Sequence, residues 1–131
     1  MSALTATLRG RVAAEALMVD ACTVKHLTGS TTDPETGHVT PTYATVYAGK
    51  CRVQQRVPVA KPYDLGEAAV WLERLELQVP MSVTGISSND VITITASALD
   101  ADLVGRVFHA RELGHKTHAT ARRFQIEEVT G

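Results

Sequence analysis

The feature that most constrains this chain is the recurrence of short strand-like segments between turn residues, one of which alternates cleanly. Asp90 to Ala96 reads DVITITA, with apolar and polar residues alternating at the period of a strand that has one face in a core. The turn-like Gly85-Ile86-Ser87-Ser88-Asn89 precedes it. Cys22–Leu27, Tyr43–Gln54, Val104–Arg111 and Ala119–Val129 also read as strands, with looser alternation. Glu67–Val79 fits a helix through Ala68, Trp71, Leu72 and Leu75, or a strand face through Trp71, Leu75, Leu77 and Val79. Pro80 and the strand-like neighbours favour the strand. Ala3–Val19 differs, because Leu4, Leu8, Val12, Ala16 and Val19 recur at helical spacing behind Ser2, a suitable N-cap. That stripe is narrow and Ala-rich, equally suited to its own core or to a neighbouring copy. The expectation is a mainly β fold: a small β-barrel of about six short strands with one N-terminal α-helix and two long loops. A single domain over residues 1–131 is expected, the helix filling 1–20 and the barrel 21–131.

The two long loops are read at Gly29–Thr42, dense in Thr, Gly, Pro and Asp, and at Gln55–Gly66, which carries two prolines. Gly49 is read as a bulge.

With 131 residues and a formal charge of −1, the chain lacks the basic excess of a DNA-coating protein. No apolar run approaches the roughly 18–20 residues that cross a bilayer. MSALTATLRGRV has no basic segment leading into an apolar core, so no secretory signal is expected, and the chain reads as soluble and made inside the cell. The charges are segregated. From Glu35 to Asp64 there is no intervening acid, but there are Lys50, Arg52, Arg56 and Lys61. From Asp64 to Asp102 seven acids face Arg74 alone, a local charge of −6. Arg106 to Arg123 is basic again. Such patches either solvate exposed strands or pair between copies.

No catalytic, cofactor-binding or metal-binding residues are expected. His115 and His118 stand three apart in a Gly-containing turn without the glutamate of HExxH, and His109 lies nearby. Exposed turn histidines account for them. Cys22 and Cys51 have no CxxC spacing and read as buried small apolar residues, neighbours in the core. Ser87-Ser88-Asn89-Asp90 lacks a nucleophile elbow and reads as a turn, and Asp100 and Asp102 read as a cap or turn. No phosphate-binding glycine loop occurs. Tyr43 and Tyr47, near Lys50 and Arg52 and sharing strand parity, are the nearest approach to a base-stacking face.

The order of segments carries more information than any one of them. A helix leads to a strand with CTV at 22–24, then a Thr/Asp/Gly-rich loop ending in Tyr43, and YAGKCRVQ at 47–54. LELQVPMSV at 75–83, NDVITIT at 89–95, LVGRVFHAR at 103–111 and ARRFQIEEV at 121–129 follow. This order resembles the head-completion proteins of tailed bacteriophages, of the head-to-tail connector or stopper type, especially those of actinobacterial phages. Where many relatives have a Gly-Asp turn before the "D.i.i" strand, this chain has Asn89-Asp90.

The resemblance implies a non-enzymatic virion protein that forms a ring at the head–tail joint below the portal, made and assembled in the host cytoplasm. It would continue and close the DNA channel and dock the tail. The partners implied are further copies of the chain, with six-fold rings preferred to twelve-fold. A portal or adaptor protein would lie above, a tail terminator or tail tube protein below, and packaged double-stranded DNA would pass through the lumen without sequence-specific contact. No cofactor and no membrane are implied. Gln55, Arg56, Lys61, Pro62 and Asp64 form the candidate channel-gating loop, whose cations suit phosphate contact. The Gly29–Thr42 loop competes for that role. Lys50, Arg52, Glu73, Glu76, Arg122 and Arg123 are the candidate charges between subunits or rings. The alternatives are a tail terminator or tail-completion ring protein and a small nucleic-acid-binding barrel.

Overall fold

The computed structural model describes residues 2–56 and 74–129. Helix α1 (Ala3–Ala16) is followed by β1 (Asp20–Thr32), β2 (Val39–Arg56), β3 (Arg74–Val79), β4 (Val91–Ser97), a single 3-10 turn at Ala101–Leu103, β5 (Val107–Leu113) and β6 (Arg122–Glu128). Every pairing is antiparallel, and the order β1-β2-β3-β6-β5-β4 returns to β1, closing the sheet into a barrel. Closure removes the open edges that a six-stranded sheet would otherwise expose. The expected class, mainly β with one N-terminal helix, is what the chain adopts.

Alternation builds the core. Cys22 and Val24 of β1, Cys51 of β2, Leu77 and Val79 of β3, Ile92 and Ile94 of β4, Phe108 and Ala110 of β5, and Phe124 and Ile126 of β6 all point inward and are buried. Val83 and Ile86, from the connection between β3 and β4, complete the cluster. Each fully buried large apolar side chain contributes about 1.5–3 kcal/mol over its exposed state. The same side chains fill the interior, so one barrel encloses no passage.

Cys22 and Cys51 are neighbours on adjacent strands, both free and buried, in agreement with their reading as small core residues. A hydrogen bond to Cys22 and burial together push the Cys51 thiol far above its ordinary range.

The Gly29–Thr42 stretch is not a loop. β1 continues to Thr32, the chain turns over Asp33–His38, and β2 starts at Val39. The pairing of β1 with β4 ends at Lys25, whereas that with β2 runs on to Thr32↔Val39. The result is a two-stranded ribbon that leaves the barrel and extends about 20 Å, at roughly 3.3 Å per residue. Its Thr-rich composition reads as turn chemistry by propensity, yet β-branched threonines suit an exposed ribbon. Only the turn itself uses loop residues: Asp33 accepts from the Glu35 amide at 2.9 Å, and Gly37 takes φ +74°. The first two strands are therefore long, at 13 and 18 residues.

Gly49 is not the bulge either. One register shift lies where Val24 faces Tyr47 but Lys25 faces Thr45, so Val46 is the extra residue, and a second between Leu27 and Gly29 leaves Thr28 extra on β1. Gly49 makes room for a ring instead. A Cβ there would stand 2.7 Å from the Tyr47 hydroxyl, which donates to the Lys50 carbonyl at 2.7 Å.

Of the Gln55–Gly66 reading, Gln55 and Arg56 are the last residues of β2. Lys61, Pro62 and Asp64 lie outside the described residues, as do Glu73 and the 67–73 part of the ambiguous segment. The remainder of that segment is β3, so the strand reading holds where it is described.

Candidate functional site

Three features distinguish the surface: the orientation of α1, the two faces of the ribbon, and the polar clusters around the barrel. Ser2 caps α1 as expected, accepting from the Thr5 amide at 3.1 Å. The helix ends at Ala16 rather than Val19, and it has no buried residue. Its polar and small side faces the barrel. Thr7 is hydrogen-bonded to His118 at 3.0 Å, Arg11 donates to the Ala119 carbonyl at 3.2 Å, and Glu15 pairs with Lys50 at 3.1 Å. Gly10 allows the close approach, since a Cβ there would meet the Thr120 methyl at 2.7 Å. The apolar stripe consequently faces solvent: Leu4 is 68% exposed, Leu8 48% and Val12 70%. A helix that packs on a barrel ordinarily turns its apolar residues to that core.

The ribbon is also two-faced. Leu27 and Tyr43 are cross-strand partners, and Pro41 and Val39 follow Tyr43 at strand period on the same side. Leu27, Val39, Pro41 and Tyr43 are all exposed. Thr40 and Thr42 occupy the other face. The Val46 bulge sets Tyr43 on the face opposite Tyr47, which sits across from buried Val24 and packs on the core. The two tyrosines do not form one stacking platform, although they share parity in the sequence.

At the base of the ribbon, Asp90 is 1% exposed and its carboxylate is fully engaged. One oxygen is 2.6 Å from His26 Nδ1 and the other accepts from the Ser87 amide at 2.8 Å. Asn89 takes φ +72° and its amide donates to the Ala110 carbonyl, so the Ser87–Asp90 segment is a tight turn as expected. The pairing of Asp90 with His26, 64 residues earlier, has no local signal in the sequence. The one clue is that His26 continues the inward parity of Cys22 and Val24.

The candidate inter-subunit charges divide. Lys50 is held by Glu15, and Arg123 Nε lies 3.3 Å from Glu76. Glu76 and Gln78 are buried on the side of β3 away from the core, where Gln78 donates to Gln54 at 2.8 Å. The Arg52 side chain makes no hydrogen bond or ion pair among the described residues, and the Arg122 Nε is buried without a partner there. A cleft of about 270 Å³ beside this cluster is lined by Glu76, Glu112, His115, Lys116, Arg123 and Phe124. Acids and bases alternate in it, and among the described residues no hydroxyl or thiol lines it. Its mixed charges suit a polar segment or an ion.

His115 and His118 are exposed on the β5–β6 connection, and among the described residues no group of three or more His, Cys, Asp or Glu is placed to hold a metal. Asp100 caps the 3-10 turn by accepting from the Asp102 amide at 3.0 Å, and Asp102 pairs with Arg106 at 2.8 Å. No helix among the described residues is long and apolar enough to cross a membrane.

The chain belongs to the family of unknown function DUF6093, whose profile matches residues 10–127. No curated protein and no solved structure matches it.

Proposed function

We propose that this DUF6093 member is a non-enzymatic ring protein of the head–tail joint of a tailed bacteriophage, of the stopper or connector type. The observation that carries the reading is a closed, filled barrel bearing two different uncovered apolar surfaces, the α1 stripe and the ribbon face. A ring built by rotation needs two unlike, complementary surfaces on each subunit. A filled barrel cannot itself conduct DNA, so a channel must be enclosed between copies. The order of sequence segments, which resembles that of phage head-completion proteins, supplies the location. In this reading the ring sits below the portal or an adaptor, docks a tail terminator or tail tube, and meets packaged DNA through phosphate contacts. Gln55 and Arg56, at the end of β2, begin the segment assigned to the lumen.

The test is a nonsense mutation in this gene within its parent genome, with the lysate imaged by negative stain. Separate tails beside tailless heads that are empty or leaking are expected. Normal infectious particles would overturn the reading. Full, stable, tailless heads would move the protein to the tail side, as a terminator. Deletion of Val57–Asp64 tests the gate, and tailless heads that still retain their DNA would sink it.

A further inference from the structure

The two apolar surfaces match each other in length. Leu4, Leu8 and Val12 span about 12 Å at 1.5 Å per helical residue. Val39, Pro41 and Tyr43 span about 13 Å at roughly 3.3 Å per strand residue, with Leu27 beside Tyr43. Neither surface can be covered by the other within one chain. α1 leads into the start of β1, and the ribbon runs away from that start beyond Lys25. A two-stranded ribbon standing clear of its sheet is marginal alone in water, so its face calls for a partner.

Charge decides which partner. The ribbon tip carries Asp33 and Glu35, and the Glu35 amide and Thr36 hydroxyl hold the Asp33 carboxyl below its usual range, so it stays ionised. The α1 side is net basic: the helix carries Arg9 and Arg11, its Glu15 is paired with Lys50, and the adjoining β5–β6 connection carries Lys116. Ribbon against ribbon would bring acid to acid, and helix against helix base to base. Ribbon against helix brings opposite charges together.

We propose that the outer face of the ribbon, through Leu27, Val39, Pro41 and Tyr43, docks on the Leu4–Leu8–Val12 stripe of α1 in the next copy of this chain. The junction is heterologous, each subunit giving its ribbon to one neighbour and its helix to the other. It rests on the ring reading above and names the contact that builds the ring.

The experiment uses the full chain with Leu8→Asp, which blinds the helix, and Tyr43→Asp, which blinds the ribbon. Both positions are about half exposed, so the fold is retained, and thermal melts verify this. Leu4→Asp and Val39→Asp serve as second variants. Sedimentation velocity of the unmodified chain is expected to show self-association that grows with concentration. Each variant alone is expected to associate at least about tenfold more weakly. The decisive sample is the equimolar mixture. It contains one intact ribbon and one intact helix per pair, so it is expected to form a dimer and stop there.

Any of three results overturns the junction: either variant alone associating like the unmodified chain, the mixture remaining monomeric, or the unmodified chain remaining monomeric near about 1 mM, a concentration at which even a weak specific contact registers. Self-association untouched by all four variants would remove this junction and leave the ring reading standing. The ring reading itself falls only with the particle phenotype of the nonsense mutant.

Discussion

Replacing Asp90 with Ala tests the tie between the barrel mouth and the ribbon. The carboxylate is 1% exposed and has two partners, the Ser87 amide at 2.8 Å and His26 Nδ1 at 2.6 Å. Losing the bond from the Ser87 amide to a buried charged acceptor costs about 1.5–3 kcal/mol. The His26 bond is worth about 1 kcal/mol, discounted because the imidazole is 51% exposed. Asp90→Ala should therefore destabilise the fold by about 3 kcal/mol. For a chain of this size that corresponds to a fall in Tm of roughly 10 °C. Asp90→Asn keeps an acceptor for Ser87 and should cost about half as much. His26→Ala should cost about 1–3 kcal/mol, since it leaves one oxygen of a buried carboxylate without its partner. Urea unfolding followed by circular dichroism measures all three, and the double variant gives the coupling between the two residues. A loss below about 1 kcal/mol for Asp90→Ala would refute the accounting.

Three further outcomes follow from the packing. Gly49→Ala should destabilise by about 1–3 kcal/mol through the clash with the Tyr47 ring. Tyr47→Phe should relieve part of that loss in the double variant, because the hydroxyl is the nearest atom. Burial pushes the Tyr47 phenol up to about 12. A folded pKa above the unfolded value near 10 means stability is intact below pH 10 and declines towards pH 12. Tyr47→Phe should flatten that decline in alkaline unfolding curves. Cys22 and Cys51 are buried, and the Cys51 thiol is held protonated, so a thiol reagent at pH 8 should label the native chain only at the rate of its unfolding. Rapid native labelling would contradict the burial of the pair.

Much of the fold was legible because it is written in local periodicity. DVITITA predicted its inward Ile92 and Ile94 correctly, since strand parity alone assigns faces once one face is buried. Ser2 as the cap of α1 and Asn89-Asp90 as a turn were legible for the same reason, each depending on a few adjacent residues. The ribbon was misread because Thr, Gly, Pro and Asp are turn residues by composition, while its strand character comes from cross-strand pairing of residues 39–45 with 25–32. The bulge was placed on Gly49 because glycine is the usual sign. Register placed it at Val46, and that one-residue shift separated Tyr43 from Tyr47.

The sequence by itself determined the class, the helix at the start, the inward-facing residues of the strands, and the segregation of charge. These depend on spacing along the chain, which covalent geometry converts directly into faces. The tertiary structure alone decided that β4 closes on β1, that Asp90 meets His26, and that α1 turns its leucines outward. That last orientation is set by Gly10, whose missing Cβ admits Thr120, and by the bonds of Thr7, Arg11 and Glu15 to residues 118, 119 and 50. A hydrophobic stripe states that a helix has an apolar face. What that face meets depends on which side of the helix fits the barrel more closely, and that fit involves residues more than a hundred positions away along the chain.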